Sequence, residues 1–430
     1  MVLSRRAALV ALLAVVVVAV VGSWWVVLGC CLALAALIGV DLVRCASPRR
    51  VRVQRAGDTA VRLGEEASTT LTLTNLGTKA ISGVVRDSWT PSAGAQRGVQ
   101  EVTVPARQRR TLTLTLRPTR RGVRRAGPVV IRTWGPLGVA GRQHQHEAPW
   151  QIRALPPFTS RRHLPSRLAR LRELDGRTTI LQRGQGTEFD NLRDYVPGDD
   201  VRSIDWRGTA RGSTVVVKTW RPERDRHVLI VLDSGRTSAG RIGDQPRLDH
   251  AMDAGLLLAA LASRAGDRVD LLVVDRAVRA RVLRKGTAEV LPSFVNAMAE
   301  VDAILVETDH RLLVREVLQS VTQRSLVVIL TGLDAAALTE GLVPVLAPVL
   351  RRHKVVLAAV SDPRVDELLT LRGDVSEVYA AAAAATDEER RAGTARRLSQ
   401  LGLSVVQAPP ERFAPALADH NLALKKAGQL

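Results

Sequence analysis

HVLIVLDSGRTS, residues His227–Ser238, decides how the C-terminal half of this chain is read. Six apolar or aromatic-like positions run without a break into a carboxylate, followed by Ser, Gly and Thr. A continuous apolar run of this length fits a strand buried on both faces of a parallel sheet. The same texture returns in RVDLLVVD at 268–275, SLVVILT at 325–331, KVVLAAV at 354–360 and LSVVQA at 403–408. AVRARVL at 277–283 reads as a short edge strand. Between the runs lie helical stretches such as RLDHAMDAGLLLAALASRAG, 247–266, and an alanine-rich one around 379–401. Strands alternating with helices predict a doubly wound α/β sheet. Ligands of such sheets bind at the carboxyl ends of the strands, which points to Asp233 and the loop after it.

Upstream, STTLTLTNLG (68–77) and QRRTLTLTLRPTRRG (108–122) alternate Thr with Leu, the period of half-buried antiparallel strands. With AISGVVRDSW, VQEVTVPA and GPVVIRTWGPLGVAGR they predict about seven short strands, an immunoglobulin-like β-sandwich over 51–155. The sandwich has no cysteine pair. The chain's three cysteines, Cys30, Cys31 and Cys45, all lie in or beside the N-terminal apolar region and show no metal spacing.

That region, Ala7–Val43, carries no charge before Asp41. It is too long for one straight span of a ~30 Å hydrocarbon core. A break at Gly22-Ser23, beside Trp24 and Trp25, predicts two short transmembrane helices, about 7–22 and 24–43. Arg5 and Arg6 before the first, and Arg44, Arg49, Arg50 and Arg52 after the second, place both ends in the cytoplasm. One long tilted anchor and a cleaved signal peptide are the competing readings. The expected organisation is therefore a membrane anchor over 1–50, a sandwich over 51–155, a linker or strap over 156–226 and the α/β domain over 227–430.

The formal charge of +20 raises nucleic acid as a partner. Only six residues are lysine, and the many arginines are scattered, often beside Asp or Glu. That distribution fits compositional bias better than a binding groove, and no nucleic-acid contact is expected. No phosphate-binding glycine loop, HExxH pair or nucleophile elbow is present, and His144 and His146 sit two apart in a loop. No enzyme activity and no resident cofactor are expected.

YVPGDDVRSIDWRGTA, 195–210, just ahead of the first sheet strand, is the densest polar stretch. Pro197-Gly198 fits a tight turn with Asp199 and Asp200 after it. Aspartates and arginines can satisfy each other at close range, and Tyr195 and Trp206 offer flat apolar anchors. The expectation is a strap docked on the sheet edge, held by Asp–Arg pairs and the tryptophan, with a recognition surface outside. Glu188, Arg193, Tyr195, Pro197, Gly198, Asp199, Asp200, Asp205 and Trp206 are its candidate residues.

GQGTEFDNLRDYVPGDDVRSIDWRGTAR followed by ERDRHVLIVLDSGRTSAG resembles the signature of the bacterial domain-of-unknown-function family numbered 58. RRGVRRAGPVVIRTWGPLGVAGR is similar to the segment closing that family's β-rich region. The resemblance implies a von Willebrand factor A-like domain after the signature, and association with MoxR-type AAA+ ATPases. Such domains often hold a divalent cation through an Asp-x-Ser-x-Ser loop, completed by a Thr and an Asp from other loops. Here Asp233 matches and Thr237 stands for the last hydroxyl. Gly235 replaces the middle Ser, and Gly332 stands where the second Asp is expected, with Asp334 two residues on. A cation at Asp233 and Thr237 is thus a degenerate possibility. The expected function is a membrane-anchored, non-enzymatic adaptor for a MoxR-type ATPase or its client. The alternatives are a metal-dependent ligand-binding protein and a membrane-bound nucleic-acid binder.

Overall fold

The structure is a computed structural model and describes residues 1–181, 188–212, 214–221 and 226–429. The chain divides into two compact units, 1–155 and 156–430.

In the first unit a short strand β1 (Val2–Leu3) leads into helices α1 (Arg5–Val21) and α2 (Trp24–Arg44). The break falls at Gly22, whose φ of 62° ends α1 in the left-handed conformation that glycine adopts without strain. Both helices are apolar almost all round, and Leu9, Leu12, Leu13, Val20, Trp24 and Trp25 lie exposed. The span from Trp24 to Arg50 contains a helix long and apolar enough to cross a membrane. The 17 residues of α1 rise only about 25 Å at 1.5 Å per residue.

The sandwich follows. One sheet holds β2 (Val51–Gly57), β4 (Ala67–Asn75), β8 (Arg109–Leu116) and β6 (Ala95–Gln96), in that order; β3 (Ala60–Arg62) belongs to the other. The second sheet is organised on β9 (Gly122–Trp134). That strand pairs with β5 (Ile81–Trp89), β10 (Ala140–His146) and β11 (Gln151–Leu155), and β5 pairs onward with β7 (Val99–Val104). The Thr/Leu alternation of β4 puts Leu71 and Leu73 inside, against Ile81, Val85, Val129 and Ile131 of the facing sheet. A buried ion pair also crosses the core: Arg55 of β2 meets Asp87 of β5 at 2.6 Å and donates to the Gly127 carbonyl at 2.8 Å. Charge at inward positions of otherwise polar strands left no mark in the pattern.

The helix pair is clasped to the sandwich. β1 pairs with β10, and Ser4 N–H donates to the Val139 carbonyl at 3.0 Å. At the far end of α2, the buried Asp41 carboxylate accepts from the amides of Leu137, Val139 and Ala140 at 2.8, 2.6 and 2.9 Å. The start of α1 and the end of α2 therefore meet the same β9–β10 turn.

The second unit opens with α3 (Leu164–Leu181). Before it, Ser160 Oγ and amide bind Asp253, and within it Arg167 pairs with Asp419 at 2.8 Å. Residues 156–181 are thus built onto the α/β core instead of forming a linker. The core sheet holds β14 (His227–Asp233), β17 (Arg268–Val274), β18 (Val278–Val282), β19 (Leu326–Leu330), β20 (Lys354–Val360) and β21 (Ser404–Ala408). Their order is β18-β17-β14-β19-β20-β21, parallel except for the edge strand β18. Helix α6 (Arg247–Arg264) covers one face together with α12 (Pro410–Lys426). Helices α8 (His310–Ser320) and α9 (Val343–Arg352) cover the other through Leu313, Val317 and Leu346.

Burial pushes the imidazoles of His250, His310, His353 and His420 below their ordinary value. The folded unit takes up these protons less readily than the unfolded chain, which protonates near 6.5. The unfolded state then binds more protons as pH falls below that value, so stability is full above about pH 7 and declines on acidification. Each histidine contributes at most about 1.4 kcal/mol per pH unit, less where it is partly exposed. Calorimetry is expected to show a level melting temperature from about pH 8 to 7 and a fall between about pH 6.5 and 5.

Candidate functional site

At the carboxyl end of β14 the chain turns through Ser234 and Gly235 into the short helix α5 (Arg236–Ala239). Asp233 is 2% exposed, and both of its oxygens are engaged. Oδ1 accepts from the Gly235 amide at 2.8 Å and from the Thr308 hydroxyl. Oδ2 accepts from the hydroxyls of Thr237 at 2.9 Å and Thr331 at 2.5 Å. Thr237 and Thr331 also lie 3.2 Å apart. Three threonines from three loops therefore converge on one carboxylate, at the switch point between β14 and β19 where open α/β sheets bind ligands.

Of the two residues named in advance for a cation, Asp233 and Thr237, the structure brings both together. Thr308 and Thr331 were missed. Thr331 closes the apolar run 325–331, and Thr308 comes from a loop with no local signal. Gly235 is explained by Thr308: a Cβ at 235 would stand 2.1 Å from the Thr308 hydroxyl, so a serine there has no room. At Gly332 a Cβ would lie 3.2 Å from both Cβ and the carbonyl of Thr237. Asp334, two residues on, turns to the Ala336 amide at 3.2 Å and to Arg236 at 3.4 Å. Arg236 also pairs with Glu307.

A second carboxylate backs the loop. Asp275, fully buried after β17, accepts from Ser234 Oγ at 2.9 Å, the Ala277 amide at 3.0 Å and Arg279 Nε at 2.6 Å. Burial alone would push Asp275 up; the bonds from Arg279, Ala277 and Ser234 outweigh it and hold it below the usual carboxylate range.

The polar signature lies elsewhere. Strands β12 (Glu188–Asp194) and β13 (Val216–Arg221) form their own two-stranded sheet. They do not join the core sheet, whose edges are β18 and β21, so the expected docking on a sheet edge is corrected. Residues 182–187 and 222–225, at the two ends of this hairpin, lie outside the described residues, as does the side chain of Glu188. Pro197 and Gly198 make the turn, with Gly198 at a φ of 108° and Asp199 N–H donating to the Val196 carbonyl at 3.0 Å. Arg193 donates to Asp199 at 2.5 Å, and Asp199 accepts from the Val196 amide at 3.0 Å. Asp200 caps the next turn through the Arg202 amide at 2.9 Å. Asp205 caps the short helix α4 (Trp206–Thr209) through the amides of Arg207 and Gly208, and meets Lys218 at 3.3 Å. The amide bond from Gly208 is the largest influence holding Asp205 below its ordinary value. Tyr195 is half-buried, its amide bonded to the Val215 carbonyl at 2.7 Å. Trp206 is not an anchor: it is 70% exposed. Its place at the first position of a four-residue helix, on a loop whose aspartates point at backbone, leaves it no core to enter.

Residues 191–397 match the family model described as "Protein of unknown function DUF58". The "Uncharacterized protein Rv1480" of Mycobacterium tuberculosis is 31% identical over 99 residues, covering 23% of this chain and 31% of the relative. The "Uncharacterized protein Mb1516" of Mycobacterium bovis matches to the same extent. The match thus spans about a third of those relatives' length. Among solved structures, the CARDB domain of the PF1109 protein from Pyrococcus furiosus is similar at 18% identity and a TM-score of 0.19, covering 24% of this chain and 86% of that domain. The ASH/PapD-like domain of human CEP192 is similar at 12% identity and a TM-score of 0.17, covering 24% of this chain and 84% of that one. The likeness to the DUF58 family, a family of unknown function, is thus carried by residues 191–397.

Proposed function

We propose that the chain is a membrane-anchored, non-enzymatic adaptor that presents a von Willebrand factor A-like unit to a MoxR-type AAA+ ATPase or its client. The observation that carries this reading is the state of Asp233. It sits at the ligand-binding end of a doubly wound sheet, yet its carboxylate is spent on one amide and three hydroxyls from this chain. Such a centre suits a rigid recognition surface better than a reacting group. The strand order with its antiparallel edge, and the Asp233–Thr237 spacing, support the von Willebrand A-like reading. The flanking arginines support a cytoplasmic placement of both units. Arginines paired across the α/β unit, such as Arg281 with Glu316 and Arg279 with Asp275, speak for dispersed charge over a nucleic-acid groove.

The metal-dependent reading draws on the three threonine hydroxyls gathered at Asp233. A hard divalent cation takes about six oxygen ligands, and one carboxylate with Arg236 near it is a poor set. The test is a pull-down of a MoxR-type ATPase by the full chain from solubilised membranes, with and without ATP and with a chelator. Retention of the ATPase in chelator is the expected result. Loss of binding in chelator, restored by Mg²⁺ and accompanied by micromolar Mg²⁺ affinity in calorimetry, would move the metal-dependent reading to first place. No retention under any condition would refute the adaptor reading.

A further inference from the structure

The hairpin of β12 and β13 combines two features that a purely structural strap does not need. Val196, Val201, Trp206 and Val215 are all exposed within 20 residues. Surface apolar residues are ordinarily scattered; a concentration of them on a polar hairpin marks an interaction site. The hairpin does have an inner side. Val217 is buried, and a Cβ on Gly208 would stand 2.8 Å from Val216 and 3.2 Å from Leu192. Truncation there would loosen the turn, whereas Trp206, 70% exposed, has little packing to lose.

The charges are sorted as well. Asp199, Asp200 and Asp205 direct their oxygens to the amides of Val196, Arg202, Arg207 and Gly208. Arg202, Arg207 and Arg211 remain exposed, with no ion pair among the described residues. Exposed apolar and cationic residues therefore alternate along residues 196–215, with Trp206 and Arg207, residue types often found at binding hot spots, adjacent in the chain. Exposed Asp194 and Asp200 interleave with these arginines. An anionic lipid surface presents a continuous negative field that these acids oppose, whereas a peptide has discrete carboxylates that can sit against the arginines alone.

We propose that this hairpin surface is a docking site for an acidic protein segment carrying apolar side chains, which cover Trp206 and its neighbours while carboxylates meet Arg202, Arg207 and Arg211. The proposal deepens the adaptor reading and rests on it for the occupant's being the ATPase. The test uses the full chain in nanodiscs, as wild type, as Trp206→Ala and as the triple variant Arg202→Glu, Arg207→Glu, Arg211→Glu. Binding is measured to a MoxR-type ATPase and, separately, to synthetic peptides of Glu and Leu, with Lys and Leu peptides as control. Each variant is expected to keep the wild-type melting temperature and to weaken binding at least about tenfold. Rising salt should weaken the wild type and leave the triple variant nearly unmoved.

If the ATPase binds the wild type and both variants alike, the docking surface is refuted and the adaptor reading stands. If the ATPase does not bind at all, the adaptor reading fails, and the peptides decide: Glu/Leu binding lost in both variants supports the surface, and its absence overturns it. Co-flotation of the nanodiscs with phosphatidylserine liposomes, lost in Trp206→Ala and without peptide binding, would overturn it in favour of a lipid occupant.

Discussion

Asp233→Ala is expected to lower the stability of the α/β unit by about 3–5 kcal/mol. The substitution removes the acceptor of the Gly235 amide and of the hydroxyls of Thr237, Thr308 and Thr331. A buried donor left without a partner costs roughly 1–3 kcal/mol, and bonds to a charged acceptor are the strong ones. The sum stays below four full penalties because Thr237 and Thr331, 3.2 Å apart, can bond each other. For a unit of this size the melting temperature should fall by about 10 °C. Asp233→Asn, which keeps one acceptor oxygen, should lose about half as much. Arg236→Gln, at an exposed pair, should lose less than about 1 kcal/mol. Calorimetry of the three variants checks the ranking. A folded Asp233→Ala protein with unchanged melting temperature would mean that the carboxylate is free for a ligand and that the hydroxyl network is not structural.

The second large effect belongs to Asp41→Ala. Here three backbone amides, of Leu137, Val139 and Ala140, lose one fully buried carboxylate. The expected cost is again about 3–5 kcal/mol, now at the junction of α2 and the sandwich. In detergent the variant should melt earlier, and the turn 135–139 should become open to protease while the α/β unit is unaffected. Gly135→Ala offers an independent check, since a Cβ there would lie 2.4 Å from the Asp41 carboxylate. It should reproduce the defect without touching the charge. Wild-type protease resistance in both variants would show that the clasp does not hold the turn.

These two aspartates show what the sequence could and could not disclose. Asp233 was legible because position and chemistry coincide: a carboxylate ending an apolar run, in a chain alternating strand and helix. Asp41 was visible only as the first charge after an apolar stretch, because its partners lie some hundred residues away. Gly22 was legible as a break, and the Thr/Leu alternation of β4 and β8 as strands, since each is a local rule. Thr308 and Thr331 carry no periodic or motif signal; only tertiary folding brings them to Asp233. The reading of Trp206 failed for the opposite reason. An aromatic residue among charges was assumed to need burial, yet the aspartates around it were already satisfied by backbone amides, so the hairpin closed without it. Nor did the polar stretch before the signature announce α3, a helix that contacts α6 and α12.

The clasp at Asp41 has a mechanical meaning. A sandwich hung on a slack peptide would swivel and sample every orientation relative to the helix pair. This one is bolted at two points on a single turn, by a strand at one end of the helix pair and a carboxylate at the other. Tilting the helices must tilt the β9–β10 edge with them. The helix pair then behaves as a mast and not as a tether: a bilayer crossed by α2 would, by setting the lean of that helix, also set the heading of the sandwich.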